Sequence, residues 1–245
     1  MCTVTYLPLS EGSILTSNRD ESLLREPALA PKLYSVFGKT VFYPKDLKAH
    51  GTWIATSGEF TICLLNGAFE KHIPSNIPYR KSRGLMVLDF FRFNGIKSFV
   101  SGYDFEGIEP FTLIVVESRT ETFLYELRWD GHKLHFKKLD VLEPKIWSSA
   151  TLYTWETISQ RQTWFKKWLG QHSKFTEEAI LNFHHFAGSD DPANSLVMKR
   201  EDQKQTVSIT SVQINKSGSK MAYEDLLLNQ VTHCTIPAEM AENIC

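Results

Sequence analysis

The chain has 245 residues, enough for one large domain with a substantial core or two small ones, and one is the expectation. With 27 basic and 28 acidic side chains its formal charge is −1, which leaves no strong field to gather nucleic acid or an anionic membrane surface. Four cysteines, Cys2, Cys63, Cys234 and Cys245, show no CxxC spacing; that argues against a disulfide framework or structural zinc and favours a reducing, cytoplasmic setting.

The first residues, Met1 to Tyr6, lack the basic and apolar regions of a signal peptide and break at Pro8-Leu9-Ser10-Glu11-Gly12. Residues 3–7 and 13–17 flank that turn as a β-hairpin. Further strands are expected at residues 39–43, 52–56, 61–65, 111–117, 122–127 and 133–137, the last pair joined by the turn former Asp130-Gly131. Residues 82–93 read as a helix with Leu85, Leu88 and Phe91 on one face and Asn94-Gly95 as its C-cap. Helices follow at 154–169, N-capped by Thr154, and at 176–183, with an acidic first turn. The polar run 188–205 is expected as a mobile loop at a site mouth. Strands at 206–215 and 220–223 precede a C-terminal extension, residues 224–245, on the same domain.

The purest apolar run, Leu113 to Val116, is far shorter than the roughly 20 residues that span a bilayer. No GxGxxG or P-loop pattern supports a nucleotide fold. Strands, then helices, then strands again suit a layered α+β architecture.

The chemistry concentrates at the start. If Met1 is trimmed, Cys2 carries a thiol and a free α-amine, with ordinary pKa values near ~8.5 and ~7.7–8.0, so that nucleophile and base share one residue. A turn centred on Ser10-Glu11 pairs positions whose numbers sum to about 21, which sets residue 2 opposite Arg19 to within about one residue. Asp20 then accepts a hydrogen bond from the α-ammonium, while Arg19 holds a carboxylate or lowers the thiol pKa. The same residues also read blandly: Cys2 as a small buried hydrophobe, and Asn18-Arg19-Asp20-Glu21 as an exposed helix start capped by Asp20.

A wider pattern decides between these readings. Met1-Cys2-Thr3, Asn18-Arg19-Asp20-Glu21, Arg25, Pro27, Gly51-Thr52-Trp53 and Leu65-Asn66 resemble the NRDE-domain family, also called the transport-and-Golgi-organisation 2 family. So do Ser82-Arg83-Gly84-Leu85, Trp147 to Tyr153 and Thr206 to Ser211. The likeness runs from Met1 to about Tyr223.

The resemblance implies a four-layer αββα sandwich of N-terminal-nucleophile hydrolase type, similar to penicillin V acylase and choloylglycine hydrolase, with two packed, mainly antiparallel sheets flanked by helices. It implies Cys2 as nucleophile, Asp20 as its orienting acid and Asn66 as a backbone donor to an oxyanion hole. Ser149 stands where the hydrolases place an asparagine side chain, and Thr206 to Ser211 where they place a late arginine. Asn18, Arg19, Glu21, Arg25 and Trp53 are the expected ligand-binding residues. The expected ligand is an acyl-CoA-like lipid or haem handled inside the cell, and the alternative is an amidohydrolase or thioester hydrolase. No cofactor or metal is implied; His132, His135, His184 and His185 lack helical metal-site spacing and read as structural.

Overall fold

The computed structural model describes residues 3–72 and 78–237. In chain order its elements are β1 (Thr3–Pro8), β2 (Ser13–Ser22), β3 (Leu29–Val36), β4 (Lys39–Lys45), β5 (Ile54–Thr56), β6 (Phe60–Asn66), α1 (Arg83–Asp89) and α2 (Ile96–Gly102). They continue with β7 (Phe111–Ser118), β8 (Thr122–Trp129), β9 (Leu134–Leu139), β10 (Lys145–Ser148), α3 (Trp155–Gly170) and α4 (Glu177–Phe186), then β11 (Lys204–Asn215), β12 (Gly218–Asp225) and β13 (Gln230–Pro237).

The first hairpin dictates the layering, because its strands are buried on both faces. Val4, Tyr6 and Leu15 point one way, into a core shared with Trp53, Ile54, Leu65 and Ile114. Leu7 and Ile14 point the other way, onto Phe165 of α3 and Ile180 and Phe183 of α4. A sheet with two apolar faces needs cover on both. One six-stranded sheet, ordered β10-β1-β2-β11-β12-β13, therefore lies between α3/α4 and a seven-stranded sheet ordered β3-β4-β5-β6-β7-β8-β9. The outer face of the second sheet is closed by Met86, Val87, Phe90 and Phe99 of the α1–α2 region, packed on Ile62, Leu64, Leu113 and Leu127. Every pairing between named strands is antiparallel. This is the αββα sandwich expected above. Among the described residues no helix is long and apolar enough to cross a membrane.

The hairpin register is also the expected one, with Thr3 opposite Asn18 and Pro8 opposite Ser13. Three strands go beyond the sequence reading. β3 carries Pro31 and an exposed outer side at the edge of its sheet, β10 has only four residues, and β13 occupies part of the expected C-terminal extension as the edge of the first sheet. Helix α1 ends earlier than its apolar spacing suggests, passing into a 3-10 turn at Phe90–Arg92. Gly95, with φ +106°, starts α2 instead of capping the helix before it. The stretch 188–205 carries the buried side chains of Ser195, Leu196 and Met198, and its Leu196 carbonyl accepts a hydrogen bond from Asn18 of β2.

Candidate functional site

Successive side chains of a strand leave on opposite faces, and on β2 this alternation divides the site in two. Arg19 and Glu21 enter the space between the sheets, where they line a cavity of about 260 Å³ with Arg25, Asp46, Trp53, Asn66, Arg83 and Glu109. Asn18 and Asp20 turn to the helical side.

The cavity wall is a set of matched charges. Arg19 Nη2 donates to Asp46 Oδ2 at 2.7 Å, while Arg25 grips both Asp46 oxygens through Nε at 2.8 Å and Nη2 at 2.9 Å. Glu21 Oε2 lies 3.4 Å from Arg25 and 3.6 Å from Arg19. On the opposite wall Arg83 pairs with Glu109 at 3.0 Å. Burial alone would raise the Asp46 pKa, but the Arg25 hydrogen bonds, the Ala49 N–H and the nearby guanidinium charges outweigh it and hold the carboxyl below its ordinary value. Burial presses the Arg83 pKa down against the pull of Glu109. The Arg19 guanidinium also lies 4.2 Å over the Trp53 ring, so the indole fixes the arginine as well as walling the cavity.

The turn leading to Trp53 is under steric control. His50 takes a left-handed φ of +57°, the conformation that glycine adopts at least cost. A Cβ on Gly51 would sit 2.2 Å from the Gly84 carbonyl carbon, so only glycine lets this turn approach the start of α1.

On the helical side, Asp20 is 5% exposed and accepts hydrogen bonds from Tyr153 Oη and from Thr206 Oγ1. A register shift between Thr206 and Ser208 re-aims Thr206; bulges of this kind commonly direct a side chain at a site. Thr206 Oγ1 is itself fixed, accepting from the Met198 N–H at 2.9 Å. Asn18 is fully buried and donates to the Leu196 carbonyl at 2.6 Å and the His184 carbonyl at 3.3 Å, while its oxygen meets His184 Nδ1. His184 Nε2 lies 2.7 Å from Thr5 Oγ1. Burial, followed by the charges of His185 and Arg161, lowers the His184 pKa to about 3, so this imidazole is neutral and joins α4 to β1 and β2.

A third group lies at the end of β6. Ser149 Oγ donates to the Asn66 carbonyl at 2.8 Å and also meets Thr151 Oγ1 at 3.1 Å. Gly67 follows with φ +81°, where a Cβ would come 2.8 Å from Thr151 Cγ2. Immediately beyond Ser149 a second depression opens, about 620 Å³ and lined by Phe69, Leu152, Tyr153, Trp155 and Ile158. It exposes apolar surface: Trp155 is 72% and Phe69 50% exposed.

The expected residues thus fall into two neighbouring sets. Arg19, Glu21, Arg25, Trp53 and Asn66 share the cavity; Asn18 and Asp20 lie across β2 from it, and Asn18 is spent on holding α4 and the Leu196 stretch. Ser149 positions the Asn66 backbone. Cys2 lies outside the described residues. Sequence reasoning missed Asp46, Arg83, Tyr153, Thr206 and Glu109 as members of these sets. Arg83, Tyr153 and Thr206 fall within the segments that carried the family resemblance, while Asp46 reads locally as a turn former because its Oδ1 accepts the Ala49 N–H. Among the described residues no three His, Cys, Asp or Glu side chains gather as a metal-binding group.

The family model described as Transport and Golgi organisation 2 matches residues 3–225. No curated protein matches the chain in sequence. Among solved structures the chain is similar to a variant of the conjugated bile acid hydrolase from Clostridium perfringens, with a TM-score of 0.51 at 11% identity over 96% of this chain and 92% of that one. It is also similar to penicillin V acylase from Agrobacterium tumefaciens, with a TM-score of 0.49 at 11% identity over 96% and 86% of the two chains. The first likeness shows an N-terminal-nucleophile-hydrolase-like fold.

Proposed function

Because the chain belongs to the transport-and-Golgi-organisation 2 family, we propose that it handles an amphipathic small molecule, an acyl-CoA-like or other lipid-like ligand or haem, in a site around Cys2. The observation that carries this reading is the meeting of a polar cavity and an apolar groove at the Asn66–Ser149 hydrogen bond: Asn66 lines the first, and the second begins at Ala150. A cavity of about 260 Å³ falls below the roughly 300–1,000 Å³ of pockets that enclose a whole ligand. It suits a polar head, with the apolar remainder lying along Leu152, Trp155 and Ile158. Titration with palmitoyl-CoA and with haemin tests this. Binding weakened about tenfold by Trp155→Ser supports it, and no binding of either probe by the wild-type chain contradicts it.

The enclosed Asp20 carboxylate favours a second reading, hydrolysis. With Met1 removed, the Cys2 thiolate attacks the carbonyl of an amide or thioester and forms an S–C bond. The C–N or C–S bond breaks as the leaving group takes the proton held by the α-amine, and water then cleaves the acyl-cysteine to return the thiol and release the acid. Asp20 orients the α-amine throughout. Cys2→Ser then abolishes release of free thiol from palmitoyl-CoA while binding persists; equal loss of both, or of neither, counts against hydrolysis.

A further inference from the structure

Arg161 of α3 is the largest fully buried side chain in the protein's described residues, with 0% exposure. Among the described residues no carboxylate pairs with it. Its Nε and Nη2 donate to the Asn194 carbonyl at 3.1 and 2.9 Å, Nη2 also to the Ser195 carbonyl at 2.6 Å, and Nη1 to Thr3 Oγ1 at 2.5 Å. Its guanidinium carbon stands 3.7 Å over the Tyr153 ring, whose hydroxyl donates to Asp20. A buried cation held only by neutral acceptors and a ring gains little over an apolar residue of the same volume, because desolvating the charge is costly. Packing alone does not explain it.

Two of its contacts lead to the candidate site from opposite directions. Thr3 follows Cys2 directly in sequence and opens β1, so the Nη1 bond fixes the start of the strand that the terminal residues lead into. Tyr153 donates one of the hydroxyl hydrogen bonds to the acid, the other coming from Thr206, so the stacked guanidinium fixes a ring that helps to hold Asp20. We propose that Arg161 is a positioning residue that ties the start of β1 to the Tyr153–Asp20 pair and sets its positive charge beside Thr3 and Tyr153; this rests on the Cys2-centred reading above. Among the described residues, two further titratable or charged groups lie near this cluster: His184 of α4, which is neutral, and Arg200, whose guanidinium carbon lies 5.3 Å from the same ring. Arg200 approaches from the 188–205 stretch and also donates to the Leu152 carbonyl, so it is placed to hold the ring but reaches neither β1 nor Asp20.

The test is the rate of Cys2 alkylation by iodoacetamide across pH 5–9, read on the N-terminal peptide so that Cys63 and the other thiols do not interfere, with the thermal midpoint of each variant alongside. Arg161→Met removes the charge at similar volume, and its rate profile is expected to move to higher pH by about one unit, because a thiolate that loses a neighbouring cation is less stable. Arg161→Lys restores most of that shift. Tyr153→Phe keeps the ring and removes the hydroxyl, moving the profile the same way, and carries the test should Arg161→Met fail to fold. A wild-type profile that titrates but is left in place by Arg161→Met, or by Tyr153→Phe where Arg161→Met does not fold, overturns the positioning role and leaves the Cys2 reading standing. A wild-type Cys2 that reacts no faster than a cysteine in a short peptide overturns that reading and the proposal with it.

Discussion

Arg19 and Asp20 are neighbours on one strand, yet their side chains leave it on opposite faces: Arg19 stacks on Trp53 beside the inter-sheet cavity, and Asp20 is enclosed by Tyr153 and Thr206 on the helical side. One short motif therefore lines the inter-sheet cavity with one face and buries a hydrogen-bonded carboxylate with the other, and the two halves respond differently to substitution.

On the acid side, Tyr153→Phe removes a hydroxyl that donates to a buried carboxylate. Hydrogen bonds to charged groups contribute about 1.5–3 kcal/mol, so the unfolding free energy in urea is expected to fall by that amount with the fold retained. A change under about 0.5 kcal/mol would show that Asp20 is held by other groups.

On the cavity side, Asp46→Asn leaves the Arg19 guanidinium, 5% exposed, without its nearer charge partner. Breaking a buried pair from one end costs about 3–5 kcal/mol, and denaturant unfolding should show a loss near the lower figure because Glu21 remains 3.6 Å away. Arg25→Ala should cost less, since its side chain is 26% exposed and solvent screens the pair. The Asp46 contribution is present at neutral pH and is lost as the pH falls through its lowered native pKa.

His184 gives a pH dependence of its own. Its native pKa is lowered to about 3 from 6.5, so the unfolded chain binds a proton that the native chain refuses. Stability is complete above pH 6.5 and declines as the pH drops from there towards 3, with a limiting slope of about 1.4 kcal/mol per pH unit. Urea unfolding between pH 4.5 and 7 should show the slope, and His184→Gln should flatten it. An unchanged slope would place the acid sensitivity elsewhere.

Gly51→Ala should distort the cavity from its own wall. Its new methyl group would meet backbone atoms of Gly84 and Leu85 at 2.2 and 2.5 Å, and backbone gives way less readily than a side-chain tip. Overpacking of this kind costs about 1–3 kcal/mol; calorimetry should register it, together with weaker palmitoyl-CoA binding, because Trp53 follows two residues later.

Much of this arrangement is legible in the sequence because local signals agree with the global fold. The Pro8 to Gly12 turn sets the β1–β2 register, and caps such as Thr154 and Thr176 mark their helices, each accepting a backbone N–H three residues on. The edge strands β3 and β13 are hidden because their exposed faces carry Lys32, Val231 and other residues without a clean alternation. Asp46, Arg83 and Glu109 join the site through contacts across 21 to 27 positions of sequence, and no local pattern announces such meetings. Arg161 was invisible for the same reason: in sequence it is one more basic residue on a helix.

Native mass spectrometry of the protein isolated from its own cells is the decisive measurement. A chain that begins at Cys2 and carries a small amphipathic molecule, bound or linked as an acyl group to that thiol, is expected, with occupancy that falls in Arg19→Ala and Trp155→Ser. A chain that retains Met1 and carries no small molecule would contradict a ligand site around Cys2.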